Sequence, residues 1–368
     1  MVDLVSQHGQ IRDEVETAVL KILRKANYIQ GEEVLKFEED LASYMSVSHV
    51  ISCASGTDAL QIALMALPLQ PGDEVITTPF SFVAAVEVIA LLGLKPVFVD
   101  VDADTFNLNV EQIEEKITSR TRVILPVHLF GQCAAMEPLM AIAKKYDLYV
   151  VEDVCQAIGA ESCWQHGVTH LAGTMGVIGC LSFFPSKVLG CYGDGGALIT
   201  SDDTLAQKMR QIARHGAQEK YHHKCIGINS RLDTIQAVIL SIKLKHLNNY
   251  ISQRRKVADI YDANLQQLKD LKLPYRSSNS THTFHQYTIQ ISASKRNFLQ
   301  QELQKNGIAS AVYYPIPLHL QLAYQYLGYR QGDFPVAEKL SQTVLSLPIY
   351  PELTEKQQMY ICEILCNC

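Results

Sequence analysis

A single lysine, Lys187, stands between Pro185-Ser186 and glycines at 190, 193, 195 and 196, in the stretch SFFPSKVLGCYGDGGALIT. A solvated lysine needs no such setting. Glycines there let backbone come close around a bound group, and a lysine amine so placed can form an imine with an aldehyde. Two other places carry matching chemistry. ASGTDAL puts small residues where a strand turns into a helix. The amides of Gly56 and Thr57 point outward there with the positive end of a helix dipole behind them, which is an anion site. The same residues also read as a plain helix cap at Ser55 or Thr57. Asp153 ends the apolar run LYVVEDV, where a carboxylate serves either as a helix cap or as the partner of a buried cation.

These residues need a frame that brings them together. HVISCAS, PGDEVITTP, KPVFVDVD, TRVILPVHLFG, LYVVEDV and ALIT read as strands. Between them TDALQIALMAL, FVAAVEVIALLG and the segment near Pro138–Tyr146 read as helices, the second closed by Gly93. Such alternation, with continuous Val/Ile/Leu strands, predicts an α/β fold with a mainly parallel sheet covered on both faces. Sites in these sheets lie at the carboxyl ends of strands, and that rule selects Ser55–Asp58, Asp153 and Lys187. After about Tyr250 the pattern changes to QRRKVADIYDANLQQL, HQYTIQI and RNFLQQELQKNG, a helix, an alternating strand and a helix. The expected division is a large domain over 1–250 with an N-terminal helical segment, and a smaller α+β domain over 251–368.

Composition narrows the function. The net charge is −6, and no basic run is longer than Arg254-Arg255-Lys256, so nucleic acid is not an expected partner. No window has the apolar length of a membrane span, and MVDLVSQHGQIRDEVET is too charged for a signal peptide, which leaves a cytoplasmic expectation. The ten cysteines are scattered through strands and helices and read as reduced packing residues. The tail CEILCNC has no metal-finger spacing.

A lysine near a phosphate cradle and a buried aspartate is the set a pyridoxal phosphate enzyme needs: the lysine binds the aldehyde, and the aspartate keeps the pyridine nitrogen protonated. The motifs SGTDALQIAL, PFSFVAAVEVI, PVHLFGQ, VVEDVCQAIGA, SFFPSKVLGCYGDGGALIT, RHGAQEKYHH, GINSRLDTIQAVIL and YYPIPLHLQ run in order over nearly the whole chain. Together they resemble the DegT/DnrJ/StrS family of nucleotide-sugar aminotransferases. The resemblance implies the aspartate aminotransferase-like fold (fold type I), with pyridoxal 5'-phosphate as cofactor and pyridoxamine phosphate as its second form. It implies transfer of an amino group from L-glutamate to a keto nucleotide sugar, with a UDP-linked 3-keto uronic acid for bacterial surface polysaccharide favoured. Alternatives are a neutral dTDP- or UDP-keto-deoxysugar, or a dehydration.

By the same resemblance Lys187 binds the cofactor covalently and moves protons, Asp153 pairs with the ring nitrogen, Gln156 meets the ring hydroxyl and Phe82 covers the ring face. Ser182, Gly56 and Thr57 hold the phosphate. Asn229 reaches the phosphate from the other subunit of a homodimer, and Arg231 grips a carboxylate. Tyr221, Tyr314 and His319 line the sugar-nucleotide pocket. Two plainer readings stay open: Phe82 as core, and Arg231 as a structural ion pair with Asp233 or with an acid of another chain. His128, His222 and His223 are not assigned to catalysis, since isolated histidines are more often hydrogen-bonded structure. WQHGVTHLAG replaces the family's usual Lys-Gly-Lys turn, and Cys155 stands where alanine is common.

Overall fold

The computed structural model describes all 368 residues. Two helices come first, α1 (Leu4–Lys25) and α2 (Glu32–Met45). Strands and helices then alternate: β1 (His49–Cys53), α3 (Gly56–Ala66), β2 (Glu74–Thr77), α4 (Ala84–Leu91), β3 (Lys95–Phe98), β4 (Thr121–Ile124), α5 (Met136–Lys145) and β5 (Tyr149–Asp153). A hairpin of β6 (Glu161–Cys163) and β7 (Thr169–Leu171) precedes β8 (Ile178–Ser182), β9 (Gly196–Thr200) and α6 (Asp203–Ile212). A second hairpin, β10 (Ala217–Glu219) and β11 (His222–His223), leads to α7 (Thr234–Leu244) and α8 (Leu247–Leu265). The chain ends with β12 (Leu271–Lys272), β13 (Tyr287–Ile291), α9 (Ala293–Lys305), α10 (Pro335–Thr343), β14 (Val344–Leu347) and α11 (Glu355–Cys366).

Seven strands form one sheet in the order β1-β9-β8-β5-β4-β2-β3. The pairs from β8 to β3 are parallel, and β9 runs antiparallel to both its neighbours. An antiparallel neighbour needs no crossover helix, so the connection from β8 to β9 is free to be the segment that carries Lys187. Alternation sends successive residues to opposite faces. Ile51, Val75, Val151, Cys180 and Leu198 pack on one side with α3, α4 and α6. Val50, Leu181 and Ile199 face α2 and α7, while Ile76 and Val150 face α5. The TRVILPVHLFG run is a shorter strand than its apolar length predicts. It stops at Ile124 because Pro126 has no N–H to give the ladder; the Pro126 carbonyl still accepts from the Asp153 amide at 2.9 Å.

A three-stranded antiparallel sheet, β12-β13-β14, has its own core of Tyr287, Ile289, Leu345 and Leu347 against Tyr261, Leu303 and Ile361. The expected boundary at 250 falls inside α8. Leu247 and Ile251 pack with α2 and α7, and Val257, Tyr261 and Leu265 pack on the small sheet, so one helix serves both cores. Leu318, Tyr324, Phe334 and Leu340 return to the core of the large sheet. No helix is long and apolar enough to cross a membrane.

Candidate active site

Three strand ends meet where the sequence expects them. Ser55 caps α3 by accepting the Asp58 amide at 3.0 Å, which decides between the two cap positions. The amides of Gly56 and Thr57 are then left as free donors of the helix start. A Cβ on Gly56 would lie 2.6 Å from the Ser182 Cβ and 2.9 Å from the Cys155 sulfur. Glycine is therefore the residue that lets the ends of β1, β5 and β8 close on one another. Gly196 does the same from behind, since a Cβ there would sit 2.4 Å from the Ser55 carbonyl.

Asp153 is the last residue of β5 and is buried. Its side chain accepts one hydrogen bond, from the Cys155 amide at 3.0 Å, so half of the carboxylate stays unpaired. Lys187 sits on a tight excursion between β8 and β9. Its amide donates to the Phe184 carbonyl at 2.8 Å, and the Cys191 amide closes the excursion on Phe183 at 2.8 Å. Lys187 is half-buried as a residue, but its amine is enclosed. Burial pulls its pKa below the usual lysine value, and Cys155 and Asp153 push it back up. The Asp153 carboxylate is thus within electrostatic reach of the amine, without forming an ion pair with it.

Gln156 ties the far wall together. Its Oε1 accepts the Phe130 amide at 3.0 Å, and its Nε2 donates to the Tyr314 hydroxyl at 3.1 Å. Burial raises the Tyr314 pKa, so the phenol stays protonated. Phe82 is 57% exposed, which removes the core reading; the core aromatic of that turn is Phe80, edge-on to Tyr314.

Other expected residues lie elsewhere. Tyr221 is 82% exposed beside the β10–β11 hairpin, and Asn229 is exposed. Arg231 makes no ion pair with Asp233, the N-cap residue of α7, and lines a cleft with Arg210, Arg214 and Gln30. The base of this segment is anchored near the cradle, because Ser230 accepts the Ala54 amide at 2.9 Å. Within one chain it does not gather around Lys187.

His319 does not reach the site. Its ring is 1% exposed, lies 3.0 Å from Glu338 and packs edge-on against Phe334. The short turn Leu318–Leu320 points it inward toward α10, so the expected pocket role has no surface to act through. His128 is structural, as read: Nδ1 accepts the Ala134 amide and Nε2 meets Glu152 at 2.9 Å. His222 and His223 are exposed.

Sequence reading missed His285. It is 6% exposed, its Nδ1 has no partner, and burial, with the nearby charges of Lys187 and Arg254, drives its pKa well down. The signal was the period of two in HTFHQYTIQI, which sets 285 on the inward side with Tyr287 and Ile289.

A lysine amine enclosed within electrostatic reach of a carboxylate, next to a turn with no room for a side chain, stands at the carboxyl ends of parallel strands, where α/β folds place their ligand sites. The chain belongs to the DegT/DnrJ/EryC1/StrS aminotransferase family, whose model matches residues 9–366. It is 47% identical, over 99% of this chain and 96% of the relative, to a "Pleiotropic regulatory protein" of Geobacillus stearothermophilus. It is 46% identical, over 99% and 96%, to a UDP-N-acetyl-3-dehydro-alpha-D-glucosamine 3-aminotransferase of Acidithiobacillus ferrooxidans. It is 44% identical, over 100% and 99%, to a UDP-2-acetamido-2-deoxy-3-oxo-D-glucuronate aminotransferase of Pseudomonas aeruginosa. Among solved structures, DesV of S. venezuelae in complex with a ketimine intermediate superposes with a TM-score of 0.95 at 36% identity, over 100% of this chain and 97% of that one. The family works with pyridoxal phosphate, and the fold is that of fold type I enzymes.

Proposed function

We propose that the protein moves an amino group from L-glutamate to the 3-position of a UDP-linked 3-keto sugar, with 2-acetamido-2-deoxy-3-keto-D-glucuronate the favoured sugar. The product would feed a bacterial surface polysaccharide such as O-antigen. The observation that carries this reading is the closure of Gly56, Ser182 and Cys155 on one another beside Asp153 and the Lys187 amine. The space fits pyridoxal phosphate: a phosphate suits the Gly56 and Thr57 amides with the Ser182 hydroxyl, and the half-free Asp153 carboxylate suits a protonated ring nitrogen. When bound, the cofactor supplies an aldehyde that captures amines and a ring that stores an electron pair.

The chain's own groups do the rest. Lys187 would hold the cofactor through its amine and, with that amine free, would serve as the base that takes the proton from the donor's α-carbon and as the acid that gives it back. Its lowered pKa favours the neutral amine a base must be. Asp153 would pair with the ring nitrogen and so favour negative charge passing into the ring. Gln156 and Tyr314 orient the ring hydroxyl side, and Phe82 offers an exposed ring to the cofactor's face. Asn229, Arg231 and Tyr221 serve the site of a second subunit in a homodimer, with the Arg231 guanidinium on a carboxylate.

A second reading keeps the reaction and changes the sugar. The Acidithiobacillus relative is named for a neutral UDP-3-keto sugar, so the carboxylate at carbon 6 is the point in question. A regulator without catalysis would have no use for the retained Asp153–Lys187 pair. The test is a half-reaction. Holoenzyme is mixed with a UDP-linked 3-amino-3-deoxy uronic acid and, separately, with its neutral counterpart and a neutral dTDP-linked 3-amino sugar. The lysine-bound cofactor's absorbance is expected to fall with the acid. A fall with a neutral sugar alone keeps the class and removes the uronate. A purified protein without that absorbance after added cofactor overturns the role of Lys187.

A further inference from the structure

Lys243, near the end of α7, is 1% exposed and forms no ion pair. Its ammonium donates to the Gly190 carbonyl at 2.7 Å and to Gln7 Oε1 at 2.8 Å, and lies 4.6 Å from the centre of the Tyr192 ring. Three N–H donors thus find two oxygens and one aromatic face. Lysine is almost never fully buried without a counter-charge. Desolvation lowers its pKa to about 8, and the Cys191 thiol and Glu352 carboxylate, the titratable groups facing it, offset that in part. A costly group held this way needs a task.

The task is visible in what it holds. Gly190 lies three residues past Lys187 and has no room for a side chain, since a Cβ would sit 2.4 Å from the Pro185 carbonyl. The inner side of the excursion is closed on Phe183 by the Cys191 amide. Its outer side is fastened to two helices. Tyr192 receives His8 of α1 on its hydroxyl at 2.9 Å, and its amide donates to Gln236 of α7 at 2.8 Å. Lys243 joins both helices to the Gly190 carbonyl, on the same excursion as Lys187.

We propose that Lys243 is a positioning residue of the active site: it fixes the Gly190 carbonyl from behind and so sets where the Lys187 amine stands. The inference rests on the role proposed above for Lys187. Misplacement of a reacting group by about 1 Å costs on the order of a hundredfold in rate. A buried lysine that merely filled space would move stability instead.

The test uses the full-length holoenzyme and Lys243→Met, which keeps length and apolar bulk. Three quantities are read: total bound cofactor after denaturation, the fraction trapped on Lys187 by borohydride, and the rate of the half-reaction with saturating glutamate. The expected result is unchanged total cofactor, a trapped fraction reduced at least about twofold, and a rate reduced about 10- to 100-fold with an unchanged half-saturating glutamate concentration. A folded variant with trapped fraction and rate within about twofold of wild type overturns the proposal, as does a lower melting temperature alone. Should Lys243→Met not fold, Lys243→Leu, which also removes the donor to the Gly190 carbonyl, is read by the same measures, and wild-type values there overturn it equally. Failure of the parent reading looks different: wild-type protein would then show no trapped Lys187.

Discussion

Around Lys187 the backbone is packed so closely that Gly56, Gly190 and Gly196 have no room for a Cβ. Between α6 and α7 the chain instead presents Tyr221 at 82% exposure, Asn229 exposed and Arg231 without an ion-pair partner. The first region is complete within one chain. The second carries groups of equal chemical interest with nothing of their own chain to act on. Surface tyrosines and arginines held on a firm base are the stock of interface hot spots, and in a two-fold dimer each such segment is offered to the other copy. The difference separates what one chain assembles from what the proposed dimer would add.

The largest effect expected is in the packed region. Lys187→Ala is expected to lose turnover at least about a thousandfold, because covalent capture and proton transfer go together. The melting temperature should hardly move, since the side chain makes no hydrogen bond in the chain. Steady-state assay beside a thermal melt checks both. Turnover near wild type in a clean sample breaks the assignment.

Acid should do the next largest damage, at a histidine packed on Phe284 of the small-sheet core. His282 is buried, stacks on Phe284 at 3.9 Å and accepts the Phe284 amide on Nδ1 at 3.0 Å. Burial, with Arg276 and Arg255 nearby, lowers its pKa to about 3. The unfolded chain takes up the proton below its ordinary value near 6.5 and the folded chain does not until about 3. Stability is therefore lost as pH falls through that window, by about 2.5 kcal/mol between pH 6.5 and 4.5 from this group. Denaturant titrations at the two pH values should show the loss, with a shallower pH slope in His282→Asn. An equal slope in the variant removes His282 as the cause.

The exposed segment is tested by mixing. Asn229→Ala alone is expected to weaken cofactor use about 10- to 100-fold, for one lost charged hydrogen bond. Refolding it with an equal amount of Lys187→Ala should restore about a quarter of wild-type activity, because each mixed dimer then holds one intact site of two. No gain over the separate variants would mean that Asn229 serves its own chain.

The same contrast explains what the sequence made legible. Gly56, Asp153 and Lys187 stood out because each lies at or soon after the end of a strand whose apolar period is local, whereas Ser182 entered only with the family resemblance. The frame followed from the same periods. His319 was misjudged because its partner, Glu338, comes from a helix that a local pattern does not pair with it. Lys243 and His285 act on Gly190 and near Lys187 from far along the chain. The expected division at 250 lies within α8, a helix that packs on both cores and keeps its period across them, so no local signal marks a sharper point.

Tyr314→Phe is the smallest change and the finest probe of the packed wall. It keeps the ring against Phe80 and deletes the hydroxyl that accepts from Gln156 Nε2 at 3.1 Å. Gln156 stays anchored through Oε1 to the Phe130 amide, so the amide side chain keeps its place but leaves one donor unpaired. A buried donor so orphaned costs about 1–3 kcal/mol unless solvent reaches it, and Tyr314 is only half-buried as a residue. The expected stability loss is therefore below about 1 kcal/mol. The half-reaction should slow about three- to tenfold, because Gln156 regains its partner only through water. A tenfold or greater loss with unchanged stability would mean that the phenol itself touches the substrate, and would move Tyr314 from the wall into the chemistry.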